Sequence, residues 1–157
     1  MTETEVQAQA LKDICFDTGR AAVAVSGGVD SVTLAVLAHQ ALGKAFRAYH
    51  AVSPAVPAQA TERVELYAER FGWQLEVVDA GEFDDLDYLA NPHNRCYFCK
   101  KNLYHRIAEA TETQVFSGAN VDDLGDYRPG LIAAREKAVR HPYIEAGVTK
   151  ANVRDLA

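Results

Sequence analysis

The sequence predicts an α/β protein built on a parallel sheet with helices on both of its faces. Three observations predict it. Short apolar runs of strand length alternate along the chain with segments of helical period, the order that a parallel sheet with right-handed crossovers requires. One of those runs, Ala21 to Val25, is apolar throughout, as a strand buried on both faces should be. Two strands end in a Ser-Gly pair, Ser26-Gly27 and Ser117-Gly118, and ligands of such sheets sit beyond the carboxyl ends of the strands. If those two strands are neighbours, both turns line one crevice.

The elements follow in chain order. Val6, Ala10, Leu11 and Ile14 recur at helical spacing, so residues 3–17 read as an amphipathic helix that Thr18-Gly19-Arg20 ends. After the first strand, Val32 to Leu42 is apolar nearly all round and reads as a buried helix closed by Gly43. Phe46 to Val52 is a second strand, with Pro54 and Pro57 punctuating the turn after it. Ala60, Val64, Tyr67 and Phe71 mark one face of a helix, with Glu62, Arg63, Glu69 and Arg70 elsewhere on it and Gly72 as its stop. Leu75 to Val78 is a third strand. Residues 80–95 lack a convincing period and read as a long loop, which in a compact domain is more often functional than accidental. A helix is expected over Cys96 to Ala110 and a fourth strand over Gln114 to Phe116. A Gly- and Asp-rich loop then spans Ser117 to Gly130, followed by a short helix over Leu131 to Ala138. Pro142 to Glu145 reads as a fifth strand or edge segment, and Thr149 as the cap of a last helix from Lys150.

Bulk properties bound the function. At 157 residues, with 48% hydrophobic and 24% charged content, the chain suits one globular domain over residues 1–157. No apolar run is long enough to cross a bilayer. The polar, acidic start has no signal-peptide pattern, so a cytoplasmic protein is expected, without a membrane partner. A net charge of −6 argues against gripping a long nucleic acid, because that affinity comes largely from neutralising phosphates. It leaves room for a single nucleotide, which needs only one nest of donors. Three cysteines, an odd count, speak against a disulfide framework in a reducing compartment. Cys15 lies on an apolar helix and reads as core.

Ser26-Gly27-Gly28-Val29-Asp30-Ser31 lies between a buried strand and a buried helix. Two glycines let the backbone turn sharply and approach a ligand, and the following helix offers unpaired N–H groups to a di- or triphosphate. Ser26 and Ser31 add hydroxyls, and Asp30 can orient the loop or help hold Mg²⁺. The loop is neither a Walker loop nor a dinucleotide fingerprint. On this reading, Gly27→Val should abolish nucleotide binding and leave the fold largely intact.

The hexapeptide resembles the signature of the ATP pyrophosphatase (PP-loop) superfamily, at the position where that family carries it. The resemblance implies an adenine nucleotide alpha hydrolase-like fold, with a five-stranded parallel sheet of order 3-2-1-4-5. It also implies that the loop grips the β- and γ-phosphates of ATP and leaves the α-phosphate open to attack.

Three further segments narrow the resemblance: Asn91 to Lys101, Ser117 to Gly130 (SGANVDDLGDYRPG) and Glu145 to Lys150. With the loop, they are similar to the sulfurtransferases that mature the nickel-pincer cofactor of lactate racemase. That implies adenylation of a carboxylate of pyridinium-3,5-biscarboxylate mononucleotide and replacement of its oxygen by sulfur. Asp30, Asp122, Asp123 and Arg128 are the catalytic candidates, with Asp126 a further candidate for Mg²⁺ or substrate positioning. Arg128 is matched to a substrate phosphate or carboxylate. Ser26, Gly27, Gly28, Val29, Asp30, Ser31, Ser53, Gly118 and Lys150 are the candidates for nucleotide contact.

A solvated, turn-making loop is the competing reading of the aspartates. Arg135, Lys137 and Arg140 read as surface charges. Glu76, Asp79, Glu82, Asp84, Asp85 and Asp87 read as a solvated acidic face.

Cys96 and Cys99 are spaced like half of a metal site, and His93 is a candidate third ligand. Family members with this pair use a later cysteine to hold an iron–sulfur cluster, and others sacrifice a single later cysteine. The sequence stops at Ala157, before either, and without the family's C-terminal region. The expectation is therefore a homo-oligomer, with a partner chain or C-terminal part completing the site around ATP and a small carboxylate. A non-catalytic ATP or AMP sensor, a tRNA thiolase and an amidating ligase are the alternatives.

Overall fold

Apolar side chains alternating between two faces organise the computed structural model, which describes residues 2–52, 57–79, 113–122 and 139–157. Strands β1 (Ala21–Ala24), β2 (Phe46–Val52), β3 (Leu75–Asp79) and β4 (Gln114–Phe116) form a sheet of order β3-β2-β1-β4. Every pairing is parallel, and β1 has Ala21 opposite Phe46 on one side and Gln114 on the other. Along β1 and just beyond it, Ala21, Val23 and Val25 belong to one buried cluster, while Ala22 belongs to a second. The first is the main core.

All five described α-helices feed that core: α1 (Glu3–Thr18), α2 (Val29–Leu42), α3 (Ala58–Phe71), α4 (Pro142–Glu145) and α5 (Lys150–Leu156). Leu11, Leu34, Val64, Tyr143 and Val153 are each fully buried in it, one from each helix. On the opposite face Tyr49, Val115 and Val139 close over Ala22. The helix expected over Cys96 to Ala110, the 80–95 loop and the Leu131 to Ala138 helix lie outside the described residues.

Several expectations are corrected. The sheet has four strands among the described residues, not five. Pro142–Glu145 is a helix with proline in its first turn, where a missing N–H costs nothing and the fixed φ suits the helix. The fifth place in the order survives as a single parallel bridge between Phe116 and Arg140. There the Arg140 N–H donates to Val115 O at 3.0 Å, and its carbonyl accepts from Ser117 N at 2.9 Å. Arg140 is more than a surface charge: its guanidinium grips Glu145, donates to Thr18 Oγ1 at 2.9 Å and lies over the Phe116 ring.

The buried stripe of α1 runs through Leu11 and Cys15, while Val6 is 52% exposed, because α1 meets α2 along the Leu11 side. Cys15 is core as expected, and burial pushes its thiol up to about 11, with Arg140 pulling weakly the other way. It stays protonated and unreactive at neutral pH. Among the described residues no helix is long and apolar enough to cross a membrane.

Candidate nucleotide site

The β1–α2 junction turns on two glycines that do different things. Gly27 has φ +97, a left-handed backbone that side chains resist. A Cβ there would also stand 3.2 Å from the Ala60 carbonyl and 3.5 Å from Val64. Gly28 has extended backbone and open space, its nearest neighbour being Ser26 Oγ at 3.7 Å. The expectation for Gly27→Val therefore changes: a β-branched residue strains the fold as well as the site. Gly28 has the room for a side chain that Gly27 lacks.

Helix α2 begins at Val29, three residues before the expected Val32, so Val29, Asp30 and Ser31 form its first turn. The Gly28 N-cap supplies no side-chain acceptor, which leaves first-turn N–H groups and the positive end of the helix dipole for an anion. Ser31 is buried, and its Oγ accepts from Ser26 N at 3.0 Å and meets Ser26 Oγ at 3.2 Å. The two hydroxyls thus close the loop into a ring. Gly118, just after β4, approaches so closely that a Cβ there would lie 2.9 Å from Ser31 N and 3.0 Å from Ser31 Cα. The two strands are neighbours, and the Ser-Gly turn after β4 packs against the helix start that follows the Ser-Gly turn after β1.

The charge sits beside this ring. Lys150 Nζ donates to both carboxylate oxygens of Asp30, each at 2.8 Å, with the two side chains 33% and 28% exposed. The Lys150 backbone N–H donates to Asp122 Oδ2 at 3.0 Å. Thr149 and Asn152 make a reciprocal capping box that fixes the start of α5, as the Thr149 cap predicted. Asn120, buried, accepts from Asp122 N at 2.9 Å, and Val121 N donates to Val148 O, so the Asp-rich loop is tied to the entry of α5. Tyr143, fully buried, donates its hydroxyl to Asp30 O at 2.7 Å. Burial, with Asp30 adding to it, raises that phenol far above its ordinary value, so it remains a donor.

The fold therefore gathers Ser26 to Ser31, Gly118, Asp122 and Lys150 beyond the carboxyl ends of β1 and β4. Ser53, Cys96, Cys99, Asp123 and Arg128, with His93 and Asp126, lie outside the described residues. Among the described residues no three of His, Cys, Asp and Glu converge as a metal site. Two carboxylates, Asp30 and Asp122, do flank the nest, the hard-oxygen donors that Mg²⁺ with a polyphosphate takes.

Sequence reasoning missed three further participants. Arg63 donates from Nη1 to Gly27 O at 3.0 Å. His50, 2% exposed, bonds Val25 O at 2.7 Å and Thr61 Oγ1 at 2.9 Å. His141 hydrogen-bonds Ser117 through Nδ1. A histidine toward the carboxyl end of a largely apolar strand was the available signal for His50. Arg63 carried none, since it looked like one more charge on the wet side of a helix.

No family model matches the sequence. The solved structure of the NH3-dependent NAD synthetase from Campylobacter jejuni has the same fold, with a TM-score of 0.76 at 15% identity, covering 100% of this chain and 73% of that one. The chain belongs to the ATP pyrophosphatase (PP-loop) superfamily.

Within it, the chain is 32% identical over 159 residues to the pyridinium-3,5-bisthiocarboxylic acid mononucleotide synthase of Lactiplantibacillus plantarum, covering 94% of this chain and 54% of that protein. An uncharacterized protein of Synechocystis is 37% identical over 157 residues, covering 98% of this chain and 59% of that protein. The chain thus spans a little over half the length of these relatives.

Proposed function

We propose that the chain binds ATP over the Ser26–Ser31 ring and transfers AMP to a substrate carboxylate, releasing pyrophosphate, in the service of sulfur transfer. The observation that carries this reading is the pairing of an uncapped helix start with a cation, Lys150, held beside it on Asp30. First-turn N–H groups and the Lys150 ammonium suit the β- and γ-phosphates. Asp30 and Asp122 would hold Mg²⁺, which when bound neutralises phosphate charge.

In the reaction, a carboxylate oxygen bonds to the α-phosphorus, and the bond from that phosphorus to the bridging oxygen breaks. Pyrophosphate leaves with the electron pair. The carboxylate, a poor acyl donor, becomes an acyl adenylate, from which a sulfur nucleophile then displaces AMP. The similarity to the Lactiplantibacillus synthase supports a pyridinium carboxylate as the acceptor, and Asp123 and Arg128 belong to this proposal as substrate contacts. A partner chain, a second copy or further sequence would supply what the other half of such a relative supplies.

Products decide the reaction class. With ATP, Mg²⁺, a pyridinium biscarboxylate and a sulfide donor to displace the AMP, chromatography is expected to detect AMP and pyrophosphate in equal amounts. ADP and phosphate as main products would overturn the class, and tight ATP binding without turnover would favour a sensor.

Cys96 and Cys99 form the second part of the proposal, two thiolates of an iron–sulfur site that others must complete. Anaerobic reconstitution with iron and sulfide should leave the 157-residue chain without a stable cluster absorbance. A stable cluster in its monomer, surviving His93→Ala, would show this ligand count to be wrong.

A further inference from the structure

The nucleotide reading above assigns no task to the helix that follows β2, yet that helix touches the phosphate loop at three points. Ala60 O stands 3.2 Å from where a Gly27 Cβ would be, Arg63 Nη1 donates to Gly27 O at 3.0 Å, and Thr61 reaches the loop through His50. The carbonyl of Val25 can only accept, so His50 carries its proton on Nδ1 and donates at 2.7 Å. In that tautomer Nε2 accepts from the Thr61 hydroxyl at 2.9 Å. A buried histidine with both nitrogens engaged in this way is a strut between β2, α3 and the last carbonyl before the loop.

Peptide geometry turns these struts into a statement about the phosphate site. The described backbone contains no cis bond, and across a trans peptide the C=O and the next N–H point in opposite directions. Holding Val25 O toward His50 therefore turns Ser26 N–H the other way, and there it meets Ser31 Oγ in the first turn of α2. Holding Gly27 O toward Arg63 likewise turns Gly28 N–H away from α3, and its nearest acceptor is Ser26 Oγ at a long 3.4 Å. That N–H is weakly satisfied and faces the ring where an anion would sit. A guanidinium on the carbonyl also draws electron density from the peptide, which makes the opposite N–H a stronger donor.

We infer that Arg63 and His50 are positioning residues of the phosphate loop: from the α3 side they hold two carbonyls back, and so fix Ser26 N–H on Ser31 and aim Gly28 N–H at the phosphates. This rests on the nucleotide reading, and its test separates the two.

The probes are pyrophosphate, ATP and adenosine, titrated calorimetrically into the wild-type protein, Arg63→Ala and Arg63→Lys. In the ligand-free proteins the Gly28 amide is also followed by NMR. Arg63→Ala is expected to bind pyrophosphate and ATP about tenfold more weakly, to bind adenosine unchanged, and to shift the Gly28 amide proton upfield. Arg63→Lys should restore most of the affinity, since an ammonium also donates to a carbonyl.

Unchanged pyrophosphate affinity with an unmoved Gly28 amide would overturn the inference. So would equal losses for adenosine and pyrophosphate, which mark a merely structural arginine. If the wild type binds neither ATP nor pyrophosphate, the nucleotide reading fails instead, and the Gly28 amide still decides whether Arg63 orients that peptide.

Discussion

Replacing Lys150 by Met is expected to lower pyrophosphate release by about 100-fold or more, the range seen when one preorganised donor is removed from a site of developing charge. Two effects add. The variant loses a cation beside the phosphate nest, and it frees the Asp30 carboxylate that Lys150 holds with two 2.8 Å contacts. An unpaired carboxylate at the helix start repels a polyphosphate through space.

The fold should tolerate the change. The bond to Asp122 comes from the Lys150 backbone, and the capping box of α5 comes from Thr149 and Asn152. Steady-state release of pyrophosphate, with thermal unfolding as control, checks the result. A variant within threefold of wild type would remove Lys150 from the site.

Gly118→Ala is expected to give the second large effect, on stability and binding together. The added methyl would meet only backbone, Ser31 N at 2.9 Å, Ser31 Cα at 3.0 Å and the Asp30 carbonyl carbon at 3.2 Å. Nothing flexible is there to give way, so the β4 turn must back off from α2. Overpacking of this kind costs about 1–3 kcal/mol, which lowers the midpoint of thermal unfolding by roughly 2–10 °C at this size. The same displacement opens the crevice and weakens ATP.

Gly28→Ala is the comparison that gives the first result meaning. Its methyl has room and its backbone is unstrained, so melting should be unchanged while ATP affinity falls. Equal behaviour of the two variants in both assays would mean that Gly118 does not brace the loop.

How legible the fold was depended on whether an element's cause is local. Phe46–Val52 and Gln114–Phe116 were readable to the residue, because a short segment rich in aromatic and β-branched residues that ends at a serine leaves few alternatives. The Thr149 cap was readable for the same reason. The order β3-β2-β1-β4 was not in the periodicity at all; family resemblance supplied it, and its fifth strand shrank to one bridge at Arg140. Pro142 announced that change, since a proline that opens a segment serves a helix at least as well as an edge strand.

At the site, the loop could be read from two adjacent glycines. The division of labour between them could not, because it depends on Ala60 and Val64 from a different helix. The roles of Arg63, His50 and Tyr143 were hidden for the same reason. Each acts on a backbone carbonyl, and a carbonyl leaves no trace in the residue alphabet.

The loop and its cation are also far apart in time. Asp30 and Lys150 are separated by 120 positions, and a ribosome adding about 5–20 residues per second needs roughly 6–24 s to travel that distance. During that interval the ring of Ser26 to Ser31 can already be made, since its bonds are local, while the ammonium that offsets Asp30 has not been synthesised. The nascent chain therefore presents to ATP a nest flanked by a bare carboxylate. On the proposed function, avid nucleotide capture waits on α5, so an emerging chain does not sequester ATP before β4 has joined its sheet.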